Sequence, residues 1–198
     1  MTARSALHAL RTLVVASSFC AAACVAAPAL KAGVFDPPAA APAFRLDGSD
    51  GQPLTLDRFR GRVVLLVFGF TRCPEVCPTT LATLAQARKA LGAEAAAVQV
   101  VWVTVDPARD NAAQVRGYLA GFDAGFVGGT GSPAAIEGVE RLYGVSAKKI
   151  PLAGGDYAMG HTSSIWLIDR DGRLRGMMPY GHDAADFVHD VRVLLAAK

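Results

Sequence analysis

The stretch "RVVLLVFGFTRCPEVCPTTL", residues 62–81, decides how the chain is read. Its first half is a continuous apolar run rich in β-branched residues, which suits a central strand covered on both faces. Its second half turns at Arg72 and sets two prolines among residues that recur at helical spacing: Val76, Leu81, Leu84 and, further on, Leu91. Between the halves lie Cys73 and Cys77, with three residues between them and each followed by proline. Proline is at home in the first turn of a helix, where no backbone N–H is needed. A helix entered at Cys73 is therefore expected, with Cys73 and Cys77 at i and i+4 on one face, about 6 Å apart. That spacing serves a disulfide, a redox couple or two ligands of one metal ion equally well. A helix start also stabilises a thiolate, so Cys73 is expected to be the more acidic and reactive thiol.

Outward from this stretch the text alternates between strand and helix. Residues 44–56, "FRLDGSDGQPLTL", read as two short strands around a Gly/Asp turn. Residues 97–105, "AVQVVWVTV", read as a second buried strand, followed by helical text at 111–120 and 133–143. Ser132 and Pro133 supply an N-cap and a first-turn proline for the latter. "SSIWLIDRDGRLRGMM" reads as a hairpin joined at Asp171-Gly172. The last segment, "DAADFVHDVRVLLAAK", reads as an amphipathic helix with Phe187, Val188, Val191, Leu194 and Leu195 inward. Its His182 and His189, among Asp183, Asp186 and Asp190, read as a solvated face. The order implies an α/β class with a mixed sheet.

The N-terminus differs in kind. Arg4 and Arg11 flank the apolar run "TLVVASSFCAAACVAAPAL", and small residues surround Ala27 and Ala29. Residues 1–30 are expected to be a signal peptide or membrane anchor. Residues 31–43, proline-rich and without periodicity, are expected to be a linker, with the folded domain spanning 44–198. Cys24 lacks the leucine that usually precedes an acylated cysteine, and Cys20 and Cys24 read as small apolar residues of the leader. Once the leader is set aside, Cys73 and Cys77 are the thiols that meet an oxidising compartment. A net charge of +3 with scattered basic residues, Arg58, Arg60 and Arg62 forming a solvated turn, argues against a nucleic-acid partner.

A soft ion held by two thiolates calls for a third donor, and imidazole is suitable. His161, in "YAMGHTSSIWLID" just ahead of a strand, lies on a loop that such a sheet can bring to the same end as the Cys73 turn. Met159, Met177 and Met178 offer thioethers but read as core filler.

Three separated blocks, "TRCPEVCP", "VTVDPARD" and "YAMGHTSSIWLIDRDG", resemble those of the Sco/SenC family of copper-binding proteins, in the same order. The resemblance covers the whole domain from about Phe44. It implies a thioredoxin-like fold, a mixed central sheet flanked by helices, preceded by an N-terminal β-hairpin. It also implies a tether at the periplasmic face of the inner membrane, and a role in building the dinuclear copper centre (CuA) of cytochrome c oxidase. By the same resemblance Cys73 and Cys77 correspond to the thiolate ligands of copper, Cu(I) or Cu(II), and His161 to the imidazole ligand. Asp106 and Asp110 fall on the acidic positions of the middle block. They are read as orienters of the ligands or partner contacts, against a plainer reading in which Asp106 serves a turn and Asp110 caps the next helix.

Two functions follow. One is a metallochaperone that passes copper to the oxidase subunit or another receiving protein, its binding switched off when the pair is oxidised. An upstream copper donor or a thiol reductant is then a further partner. The other is a thiol–disulfide oxidoreductase that reduces the copper-ligand cysteines of the oxidase. In it Cys73 attacks and Cys77 resolves. No proline precedes "IWLID", where redox thioredoxins carry a cis-proline beside their dithiol, and this favours the metal. A peroxidase is weaker still, because Phe70 stands where it would want threonine.

Overall fold

The structure, a computed structural model, describes residues 29–197. In chain order its elements are β1 (Gly33–Ala40), β2 (Leu46–Gly48), β3 (Pro53–Leu54), β4 (Val63–Gly69), α1 (Val76–Leu91), β5 (Val98–Thr104), α2 (Ala112–Ala120), β6 (Val127–Thr130) and α3 (Pro133–Tyr143). There follow β7 (Ala147–Pro151), β8 (Tyr157–His161), β9 (Ile165–Ile168), β10 (Arg173–Met178) and α4 (Ala184–Ala196). Eight strands form one mixed sheet in the order β1-β10-β9-β4-β5-β6-β2-β3, and β7 and β8 form a separate two-stranded sheet.

β4 and β5 are buried at every residue, as their unbroken apolar runs require. They pair in parallel from Val63↔Val98 to Gly69↔Thr104. Trp102 lies opposite Val67 in the ladder, so its indole shares a face with Val67 and Gly69 and meets Tyr118 of α2. On the other face Phe68 packs edge-on against Trp166 and beside Tyr143 of α3. β9 runs antiparallel to β4, with Val67↔Ile165 and Val64↔Ile168. The C-terminal ends of β4 and β5 and the N-terminal end of β9 therefore share one edge of the sheet. The segments that leave there carry Cys73, Asp106 and Asp110, and His161.

The hairpins are where the sequence puts them. β2 and β3 pair around the Gly/Asp turn, and β9 and β10 are joined through Gly172 at positive φ. Ser132 caps α3 through the Ala135 amide, with Pro133 as its first residue.

Other expectations are corrected. Gly33–Ala40, inside the stretch read as a linker, forms edge strand β1 on β10, with the register broken between Val34 and Ala39. Its prolines fall within the break, where an edge strand loses no ladder bond to them. Packing starts earlier still, since Leu30 lies against the core and Ala32 is buried. Asp190, read as solvated, is fully buried and accepts from the Lys31 and Ala32 amides at 2.7 and 2.9 Å. It sits three residues after Phe187 and four before Leu194, on the inward stripe of α4. Residues 1–28, and with them nearly all of the expected leader, Cys20 and Cys24, lie outside the described residues. Among the described residues no helix is long and apolar enough to cross a membrane.

Candidate metal centre

The helix after the cysteine turn begins later than expected. α1 starts at Val76, so Cys73 lies in the preceding loop and only Cys77 is helical. Glu75 is the residue that flanks the helix start, and Cys73 stands two residues ahead of it. Pro78 falls within the first turn, where the missing N–H costs nothing. The Cys73 side chain still serves the helix end, because Sγ accepts the Cys77 amide at 3.4 Å. Both cysteines are free thiols, Cys77 buried at 3% exposure and Cys73 half-buried.

The two thiols are made unequal by this arrangement. Hydrogen bonding with the Cys77 side chain, aided by the Cys77 and Glu75 backbone, lowers Cys73 from 9.0 to about 5, against the opposing effect of burial. Cys77 is pushed up, by its bond to the Cys73 side chain and by its own burial. The hydrogen bonding within the pair thus favours the thiolate on Cys73 and the proton on Cys77.

His161 closes the third side. Its Nε2 lies 3.7 Å from Cys77 Sγ, and its Nδ1 lies 2.7 Å from the Thr162 carbonyl. A carbonyl can only accept, so Nδ1 carries the hydrogen of the neutral ring and Nε2 presents a lone pair toward Cys77. The ring stands edge-on to Phe70 at 5.8 Å, which holds its plane. Among the described residues no three His, Cys, Asp or Glu side chains converge as a finished metal cage. Cys73, Cys77 and His161 instead meet through pairwise contacts. Two sulfurs and one imidazole nitrogen fit a soft ion and not a hard one.

Asp110 does not cap α2. Asn111 does, in a reciprocal capping box with Gln114. The Asp110 carboxylate, fully buried, accepts from the Thr71 amide at 2.9 Å and the Thr71 and Thr104 hydroxyls at 2.6 and 2.7 Å. It pins the loop two residues ahead of Cys73. Asp106, also buried, accepts from Arg109 and, at 2.7 Å, from the Tyr157 hydroxyl at the start of β8. The carboxylates thus hold the protein on either side of the thiol–imidazole contact. Thr71, Thr104, Arg109 and Tyr157 were not singled out from the sequence. For Tyr157 a signal existed, since it stands four residues before His161 and shares a strand face with it. His182 and His189 bond to Asp186 and Asp190 on α4, and Met178 is core.

Comparison with known proteins places this geometry among relatives. The family model described as SCO1/SenC matches residues 35–196. The mouse (Mus musculus) protein named "Protein SCO2 homolog, mitochondrial" is 36% identical over 157 residues, covering 78% of this chain. The match spans 62% of the mouse protein, less than two thirds of its length. The structure of Bradyrhizobium japonicum ScoI with copper bound is 37% identical, with a TM-score of 0.73, covering 79% of this chain and all of that one. The structure of BsSco, a member of the Sco family of cytochrome c oxidase assembly proteins in which a disulfide switch was identified, is 26% identical. Its TM-score is 0.66, over 84% of this chain and 99% of that one. The likeness to these structures makes the mixed sheet and its helices a thioredoxin-like fold.

Proposed function

The chain belongs to the SCO1/SenC family, and on that premise we propose that it is a copper metallochaperone for the assembly of cytochrome c oxidase. Copper is its cargo, held by Cys73, Cys77 and His161 and passed to the dinuclear CuA centre of the oxidase subunit. The observation that carries this reading is the 3.7 Å approach of His161 Nε2 to Cys77 Sγ, with Nδ1 already engaged by Thr162. Binding requires the reduced pair and displaces the Cys77 proton. An incoming thiolate can take the ion by ligand exchange, without a covalent step on the partner. Oxidation of Cys73 and Cys77 to a disulfide removes both sulfur donors and halts delivery. Asp106 and Asp110 act by holding the ligand-bearing segments. Residues 1–30 export or anchor the domain at the periplasmic face of the inner membrane, where an upstream donor or reductant would meet it.

Competition titration of Cu(I) against a chelator tests the reading on the reduced protein. One ion per chain is expected, with affinity at least tenfold weaker in His161→Ala and in Cys73→Ser. Unchanged affinity in the His161 variant would overturn it.

A second reading rests on the low-lying Cys73 thiol, which suits thiol–disulfide exchange with the oxidase cysteines. Cys73 thiolate would attack the partner disulfide and Cys77 would then displace the partner thiolate. Cys77→Ser should accumulate a mixed disulfide in cells, and its absence would remove this reading.

A further inference from the structure

The hairpin that carries His161 is not part of the main sheet, since among the described residues β7 and β8 pair only with each other. Its base is tied where Ala147 faces His161, by Thr162 N–H donating to the Ser146 carbonyl and Ser146 N–H to the Thr162 hydroxyl. Those bonds lie within the hairpin and its flanks and do not fix it to the body. At the other end of β8, about 13 Å away at strand rise, Tyr157 is held at its hydroxyl, its carbonyl and its ring. Its hydroxyl donates to Asp106 at 2.7 Å and its carbonyl accepts from Arg109 Nη1 at 2.8 Å. The Arg109 guanidinium stacks 3.6 Å from the ring centroid, and the Lys149 ammonium of β7 lies 4.4 Å from it. Arg109 also reaches Asp156 at 2.9 Å and is itself only 12% exposed.

We propose that Arg109 and Tyr157 form a latch that positions His161 against the cysteines, an inference that rests on reading Cys73, Cys77 and His161 as the copper ligands. The segment from Asp106 to Asp110 works as a bridge. Asp110 grips Thr71 on the cysteine side, and Asp106 with Arg109 grips Tyr157 on the histidine side. One short loop therefore links the two ligand-bearing segments by polar bonds, beside the Phe70–His161 contact and the packing of Ala147 and Met159 against the core. Tyr157 and His161 project from the same face of one strand, so displacement at Tyr157 is carried along β8 to the imidazole. Neither Arg109 nor Tyr157 touches the ion. Each acts through His161.

A double-mutant cycle on the full chain separates positioning from general support. Tyr157→Phe should weaken Cu(I) binding about tenfold, the lower end for residues that orient a ligand. In a His161→Ala background the same change should cost less than about twofold, because no imidazole is left to position. Arg109→Lys, which keeps the charge but loses the stacked fork, should follow the same pattern and serves if Tyr157→Phe fails to fold. In the reduced, metal-free protein, amide exchange across Tyr157–His161 should quicken in either variant while that of β5 is unchanged. Equal weakening in both backgrounds, or none in either, would overturn the latch while leaving the copper reading intact. A wild-type protein that binds no Cu(I), or one indifferent to His161→Ala, would overturn the copper reading and the latch with it.

Discussion

The two sides of the candidate centre are built in opposite ways. The cysteine side grows out of β4, a strand of the main sheet buried at every residue, and its loop is tied down by the buried Asp110. The histidine side sits on a two-stranded hairpin whose far end exposes Ile150 and Leu152, each about half accessible. A polar latch and the packing of Ala147 and Met159, rather than a ladder of strand pairing, attach it to the body. The contrast assigns different tasks to the two sides. The thiols are presented beside strands buried in the main sheet, and the imidazole by a hairpin that the main sheet's ladder does not hold. A cargo site benefits from such a division, because one ligand can yield to an incoming donor without disturbing the others.

The contrast breaks if perturbing the cysteine side leaves stability untouched. Gly69→Ala should have the largest effect, since a Cβ there would enter the Trp102 ring, and about 3 kcal/mol should be lost in urea unfolding. An unchanged midpoint would mean that the strand under the cysteine loop is not locked. Asp110→Ala should cost about 2 kcal/mol, because Thr71 and Thr104 lose a charged acceptor in a buried setting. Its copper affinity should fall as well, and retention of both quantities would contradict the pinning role.

A smaller effect should mark the thiol pair itself. Cys73 lies below its ordinary value, so the stabilisation from its thiolate is fully present above that value and is lost as pH falls through about 5. Alkylation of Cys73 in the reduced protein should therefore change little between pH 8 and 6. It should drop about tenfold between pH 6 and 4, with Cys77 unmodified throughout. A midpoint near that of a free thiol would remove the asymmetry. The smallest effect belongs to the hairpin. Lys149→Ala removes one of the two cations against Tyr157 and should cost about 0.5 kcal/mol of stability. A loss as large as that of Asp110→Ala would mean that the hairpin shares the stability of the core.

The same division governs what was legible in the sequence. β4, β5, α2, α3 and the β9–β10 hairpin announce themselves because burial, caps and turn residues leave local patterns. β6 does not, since Gly128 and Gly129 have poor strand propensity. They are required there because side chains of Val115, Leu119 and Leu54 occupy the space a Cβ would take. β7 and β8, with Pro151, Gly160 and no alternation toward a core, carry no periodic signal. β1 is obscured by prolines that only an edge position allows. The cysteines and His161 stand out as soft donors, but the prolines point to a start of α1 three residues ahead of the true one at Val76. The roles of Asp110 and Asp190 were hidden because their partners are backbone amides and hydroxyls, distant in sequence and of no distinctive type. Those contacts are decided by tertiary packing, not by local text.

X-ray absorption at the copper edge, on the reduced protein loaded with one equivalent of Cu(I), tests the central claim most directly. Two sulfur neighbours and one imidazole nitrogen are expected, with the nitrogen shell lost in His161→Ala. A sulfur-only site in the wild-type protein, or an identical spectrum in the variant, would contradict it.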